Sequence, residues 1–435
     1  MSRFSLETFF DLKACGTTVR REVIGGLTTF VAMSYLVIVV PAMLADAGMD
    51  REAATAATII TTVFATLLMG LYANLPIAVA PGLGITAYFA YYVCGPAGFT
   101  WQAALGAVFI SGVIFFILTV TSIRELIIDA IPRDLKIATS AGFGCFITLI
   151  GLKNCGIVIP SETGLTLGHL TSPAALTAIA GFFVTAALTA RNVTGSILIG
   201  IVFTVAVSYA TGQAHLPEGE VFSVSLPDVS GTFLALDFAG ALSHGIVTVI
   251  FTLTMVDLFE NIGTLIGLTR KAGLTQPGGT IKNVRQAFVS DSFGTMFAAT
   301  MGTSTGVCYI ESAAGIESGA RTGLSSVVTA LGFVLALFAV SLVSCVPTAT
   351  AAPALILVGV LMMKETALIG FDDFPISVSA FLMIMGMPFT FNIATGLGLG
   401  FISYVVLMTT AGRAREVKPA MWPIALAFAV SFALR

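Results

Sequence analysis

Two acids stand three residues apart in "TMVDLFENIGTLIG", residues 254–267, inside an otherwise apolar run. At helical spacing Asp257 and Glu260 share one face, with Asn261 and Thr264 on an adjoining strip. An isolated ionised carboxylate in hydrocarbon is strongly disfavoured, so an acid placed there is a candidate for ligand or proton binding. A third acid, Glu311, lies in "GTSTGVCYIESAAGI", 302–316, within the first turns of a short helix whose N-terminus favours negative charge. Exclusion from water disfavours a charged carboxylate, so such a group can load a proton near neutral pH. Loading neutralises the site and lets it cross a low-dielectric zone. For Asp257 a second reading is equally open, a packing acid bonded to a neighbouring hydroxyl or backbone group. Asp291, a few residues from Arg285, is expected to be an interface anchor.

The elements that position these acids follow from composition. Hydrophobic residues make up 57% of 435 positions and charged residues 10%, against roughly 25% charged in soluble domains. The chain therefore reads as an all-α polytopic membrane protein, in which fourteen spans of about 20 residues leave only short loops. Apolar segments fall near 23–45, 53–73, 76–94, 101–120, 137–153, 173–190, 193–211, 240–268, 286–301, 304–317, 322–342, 346–363, 374–389 and 391–411. With the N-terminus inside, Arg51 and Lys153 alone fall in outer segments and Arg435 ends the chain. The other Lys and Arg, Arg124 among them, gather on the inner side, as the positive-inside rule requires. Both termini are thus expected in the cytoplasm, and no Lys or Arg is expected mid-span. The N-terminal "MSRFSLETFFDLKACGTTVRREV" reads as a cytosolic amphipathic lead-in. The segment 420–434 is apolar but short, so it is interfacial, packed on the last helix, or a fifteenth crossing.

The halves look related. Ile131-Pro132 and Val346-Pro347 each open the fifth span of a seven-span set, and an odd number of spans inverts the second copy. The third spans also match. "VAPGLGITAYFAYYV", 79–93, and the 302–316 stretch both open with residues that make poor continuous helix. Each reads as an extended stretch followed by a half-helix, and non-helical backbone at membrane depth belongs where it lines a cavity.

Other candidates are weaker. His244 reads as scaffold near the outer end of span eight, and His169 and His215 as loop residues. Phe30, Tyr88 and Phe89 could stack on a planar ligand. Cys15, Cys94, Cys145, Cys155, Cys308 and Cys345 are scattered without a C-x-x-C pair, which argues against a metal or disulfide framework.

Five ordered strings carry a resemblance over essentially the whole chain: "GLTTFVAMSYLVIVVPAML", "APGLGITAYFAY", "IGLKNCGIV", "MVDLFENIGTLIG" and "GTSTGVCYIESAAGIESGARTGLSSVV". The chain resembles the AzgA-type purine permeases, which carry adenine, guanine or hypoxanthine and form a branch of the nucleobase/ascorbate transporters (nucleobase:cation symporters). The resemblance implies a 7+7 inverted repeat. A core domain (1–120 and 240–342) would move as an elevator against a gate domain (121–211 and 343–435), with 212–239 as an outer loop. It further implies proton-coupled uptake of purine bases, with the proton as coupling ion and no other cofactor. The setting would be a bacterial inner membrane and its lipid, with dimers through the gate domain and no nucleic-acid partner. Carried over by motif, the substrate residues are Glu260, Glu311 and Thr86, flanked by Ile85, Tyr309 and Ile310; Glu260, Asp257 and Glu311 are the proton-coupling candidates. The sequence departs from the branch at three places: Thr86 replaces an Asn, Gly306-Val307-Cys308 replaces Val-Thr-Ser, and Glu260 replaces an Asp. These departures bear on which base is recognised.

Three rivals remain at this stage. A carrier of the same architecture for another base (xanthine or uracil) or a small organic anion shares the fold, although an anion usually needs a positive site. A channel or receptor has no need of broken helices in inverted copies. An enzyme would need a nucleophile, metal cluster or dyad at motif spacing, which is missing from the sequence.

Overall fold

The computed structural model describes residues 5–121, 123–162, 164–214, 227–242, 246–274, 283–344 and 346–433. Thr18 caps α1 (Val19–Met33) by accepting a hydrogen bond from the Arg21 N–H. The chain bends at Ser34, whose hydroxyl donates back to the Phe30 carbonyl, and continues as α2 (Leu36–Asp46). Asp50 caps α3 (Arg51–Leu71). The third segment opens as strand β1 (Val79–Pro81), then turns into α4 (Leu83–Tyr88), which a π turn extends through Phe89–Val93.

After α5 (Trp101–Val120) a short connector, α6 (Ile123–Ala130), leads to α7 (Arg133–Asn154). An exposed hairpin of β2 (Val158–Ser161) and β3 (Gly164–Leu167) follows, then α8 (Pro173–Ala190) and α9 (Ser196–Ala210). The second half begins with α10 (Ile246–Lys271), the helix of the two acids, and α11 (Val284–Met301). Gly302, at φ +96°, closes α11 in a left-handed conformation that favours glycine and releases the chain as an extended stretch. Strand β4 (Gly306–Cys308) leads into α12 (Ser312–Glu317). The remaining helices are α13 (Gly323–Ala336), α14 (Ala352–Met363), α15 (Phe374–Phe389), α16 (Ile393–Thr410) and α17 (Met421–Ala433).

The two broken segments meet. Strands β1 and β4 pair antiparallel in the register Val79↔Cys308, Ala80↔Val307 and Pro81↔Gly306. The pairing is lengthened by Gly82 N–H to the Thr305 carbonyl (3.0 Å) and Tyr309 N–H to the Ala78 carbonyl (2.9 Å). Thr66 on α3 satisfies the other edge, exchanging hydrogen bonds with the Val79 N–H and carbonyl, so no backbone group of Val79 is left bare in the bundle.

Helices α1, α3, α5, α10, α11 and α13 pack together around this ladder, with α12 against α1. Helix α7 packs with α14 and α15, α14 with α8, α8 with α9, and α15 with α16. The two groups touch where α7 meets α4 and α10 and where α9 meets α1.

Among the described residues nine helices are long and apolar enough to cross a membrane, and four shorter apolar ones join them. The expected segments all contain helix, but those at 76–94 and 304–317 each open with a three-residue strand, so neither is one long helix. The 420–434 segment forms α17, packed on α16, with Phe428 near Phe401 (centroids 5.7 Å apart). Its 13 residues reach about 20 Å, short of the roughly 30 Å hydrocarbon core.

Candidate substrate site

Glu260 leaves α10 toward the start of α4. Its Oε2 is buried without a hydrogen-bond partner, and a Cβ added to Gly82 would lie 3.3 Å from it, one on Gly84 3.6 Å. Glycine at both positions lets the carboxylate approach the half-helix backbone. Phe143, from α7, covers the same place: the Gly84 Cβ would meet its ring at 3.5 Å.

Glu311 precedes α12, in the same half as Glu260, and accepts a hydrogen bond from Tyr35 Oη of the first half at 2.5 Å. It is within electrostatic reach of Glu260, and both acids act on Tyr309. The Tyr309 hydroxyl donates to the Pro81 carbonyl at 2.6 Å, binding the second broken segment to the first. Ile310 is exposed beside it, whereas Ile85 and Thr86 are fully buried. The Thr86 hydroxyl lies 2.6 Å from the Gly82 carbonyl, to which it donates, and 2.5 Å from Ser304 Oγ. Its single proton is committed to Gly82, so this side chain braces the two half-helices internally.

Asp257, one turn before Glu260, is fully buried and faces the protein. Its Oδ1 accepts from Asn261 Nδ2 (2.7 Å) and its Oδ2 from Thr295 Oγ1 (3.4 Å). Asn261 Oδ1 in turn takes the Cys308 N–H at 2.6 Å, so the acid supports β4 through one amide. Phe30 packs edge-on against Phe333, Tyr88 stacks on Tyr92, and Phe89 is buried; these rings belong to the packing. Within the described residues no group of three or more His, Cys, Asp and Glu side chains could hold a metal. His215, His244 and Cys345 lie outside the described residues.

Two expectations are corrected. Asp291 is no interface anchor: it is 1% exposed and stands 3.8 Å from the guanidinium of an equally buried Arg124. The expectation that every cation stays out of the bundle fails with it, since Arg124, assigned to an inner loop, is folded inward between the rings of Phe115 and Phe288. Proximity to Arg285 in sequence misled because the partner comes from α6, far along the chain. Tyr35, Phe143 and Ser304 were also missed as site residues. Tyr35 alone had a signal, a hydroxyl at a break in an apolar helix.

Two broken segments paired inside an apolar helical bundle, with buried acids beside the half-helices that follow them, are an arrangement that secondary transporters share. Residues 20–399 match the model of the Permease family, and the chain belongs to that family. It is 41% identical to the adenine permease AdeP of Escherichia coli, over 97% of this chain and 95% of that protein. It is 39% identical to the guanine/hypoxanthine permease PbuO of Bacillus subtilis, over 97% of this chain and 98% of that one. The transmembrane domain of the cyanobacterial bicarbonate transporter BicA has the same fold, with a TM-score of 0.64 at 18% identity, over 88% of this chain and 97% of that one.

Proposed function

We propose that the protein is a proton-coupled importer of purine bases working by an elevator motion. The observation that carries this reading is the buried, unpartnered Oε2 of Glu260 set against the glycine-lined start of α4. An acid in that setting wants either a proton or a ligand N–H. Relatives named as adenine and guanine/hypoxanthine permeases supply the ligand class.

The chemistry is complementary. A protonated carboxyl offers one donor and one acceptor, which matches the donor–acceptor edge of adenine (N6–H and N7) or hypoxanthine (N1–H and O6). Guanine presents the same N1–H and O6 edge to the protonated carboxyl. Glu260 would thus take both base and proton, Glu311 would anchor the opposite edge, and Asp257 would hold β4 in place. Loaded, the site carries less charge across the low-dielectric zone.

The helices around the ladder would be the moving core, and those around α7 the gate. One contact between them would have to break in each cycle: Asn154, on α7, donates at 3.2 Å to Tyr91 Oη, which itself donates to Asp46 on α2. The test is uptake of labelled adenine, guanine and hypoxanthine into cells expressing the protein, with and without a protonophore. Saturable uptake that collapses with the proton gradient is expected for the wild type, and its loss for Glu260→Gln at equal membrane abundance. Gradient-driven accumulation by that variant would overturn the assignment of the proton to Glu260.

A further inference from the structure

Arg124 opens α6, the connector between α5 and α7, and α6 packs on α5 and on α10. Its guanidinium lies 3.8 Å from the centroid of Phe115 and 3.4 Å from that of Phe288. Nη1 donates to Thr119 Oγ1 at 3.4 Å, and Nη2 stands 3.8 Å from Asp291 Oδ2. A guanidinium does not shed its proton in proteins, so a buried one demands a compensating anion. Asp291 is the acid beside it, and Asp257 lies within its electrostatic reach.

From there a polar chain runs to the site. Asp291 and Thr295 are one turn apart on α11. The Thr295 hydroxyl shares its proton between Asp257 Oδ2 and the Gly306 carbonyl of β4, each at 3.4 Å; Asp257 accepts from Asn261, and Asn261 holds the Cys308 N–H of β4. The buried Arg124–Asp291 charge pair, whose carboxylate oxygens have no hydrogen-bond partner, adjoins this hydrogen-bonded chain, which ends at Cys308 opposite Val79 in the ladder.

We propose that Arg124 is a positioning residue for transport: by neutralising Asp291 it leaves Asp257 free to orient Asn261, which fixes β4 at the substrate site. Removing Arg124 alone leaves two buried acids facing each other, and either their repulsion or the protonation of one of them disturbs the grip on Asn261. Removing both members of the pair leaves Asp257 with its own two partners. The inference rests on the substrate site described above, and one arm of its test needs no substrate.

That arm is alkylation of Cys308, which is 4% exposed on β4, by N-ethylmaleimide in the purified protein, followed by mass spectrometry of its peptide. The other arm is KM and maximal rate of purine uptake at matched membrane abundance. Arg124→Gln should raise Cys308 labelling and KM by about tenfold. Arg124→Lys, which keeps the charge but loses the planar stack, should fall between. The double variant Arg124→Gln/Asp291→Asn should return to within about threefold of the wild type in both. Wild-type labelling and KM in Arg124→Gln, or a double variant no better than that single one, overturns the proposal. If Arg124→Gln fails to fold, Asp291→Asn against the double variant carries the test: impairment relieved in the double supports it, and equal behaviour overturns it. A wild-type protein that takes up no purine sinks the nucleobase reading, while the Cys308 arm still decides on Arg124.

Discussion

The Tyr35 hydroxyl donates to Glu311 Oε1 at 2.5 Å, joining the bend of the first span to the half-helix of the other half. A hydrogen bond to a carboxylate contributes about 1.5–3 kcal/mol. Tyr35→Phe should therefore raise the KM for purine uptake about tenfold or more. If Glu311 is the partner through which Tyr35 acts, Tyr35→Phe should add little to Glu311→Gln in a double-mutant cycle, measured as uptake or ligand binding. Additive losses would separate the two residues.

Close packing of Gly82 against the second half makes a reciprocal test. A Cβ there would come within 2.8 and 3.0 Å of the two methyl carbons of Val307, a side chain with no freedom to retreat. Gly82→Ala should abolish uptake, since overpacking costs about 1–3 kcal/mol and displaces the ladder. Val307→Ala in the same chain should restore a measurable part of it. Gly84→Ala, whose Cβ meets its neighbours at 3.5 Å and beyond, should leave the protein folded with milder loss.

Replacing Glu260 by Gln keeps one donor and one acceptor and removes the proton. Glu260→Gln should retain binding of adenine, guanine and hypoxanthine to within about threefold, because the amide presents the same donor–acceptor pair as the protonated carboxyl. Ligand-induced thermal stabilisation of the purified variant reads this without transport. Loss of all three bases would show that the protonated carboxyl is not the form that recognises them.

Asn261 serves Asp257 and the Cys308 N–H together. Asn261→Leu strands a buried acid and a buried N–H, at about 1–3 kcal/mol each. It should lower the thermal midpoint of the purified protein by several degrees and abolish uptake. Asn261→Asp keeps the acceptor for Cys308 but sets a second carboxylate against Asp257, so it should be intermediate in stability and still fail in transport.

Much of this was legible along the chain. Apolar runs and the poor helix formers at 79–82 and 302–306 are local signals, and they placed the membrane helices and both broken segments. The three-residue spacing of Asp257 and Glu260 put them on one helix face, but left open which touches ligand. The exposed hairpin at 158–167 escaped notice, as a brief alternation outside the apolar runs.

Composition and periodicity are set within a turn or a strand, so they alone were enough for the class of protein, its broken spans and its candidate acids. Partners across hundreds of residues depend on how helices pack, and no local pattern encodes them. Only the folded bundle paired Val79 with Cys308, brought Tyr35 to Glu311, and turned Arg124 inward to Asp291. It also divided the two acids of α10: Asp257 has its oxygens taken by Asn261 and Thr295, whereas Glu260 keeps one oxygen bare before the glycines of α4. The physical reason is that a buried polar atom must find its partner in three dimensions, so only the packing of the helices decides which acid is satisfied.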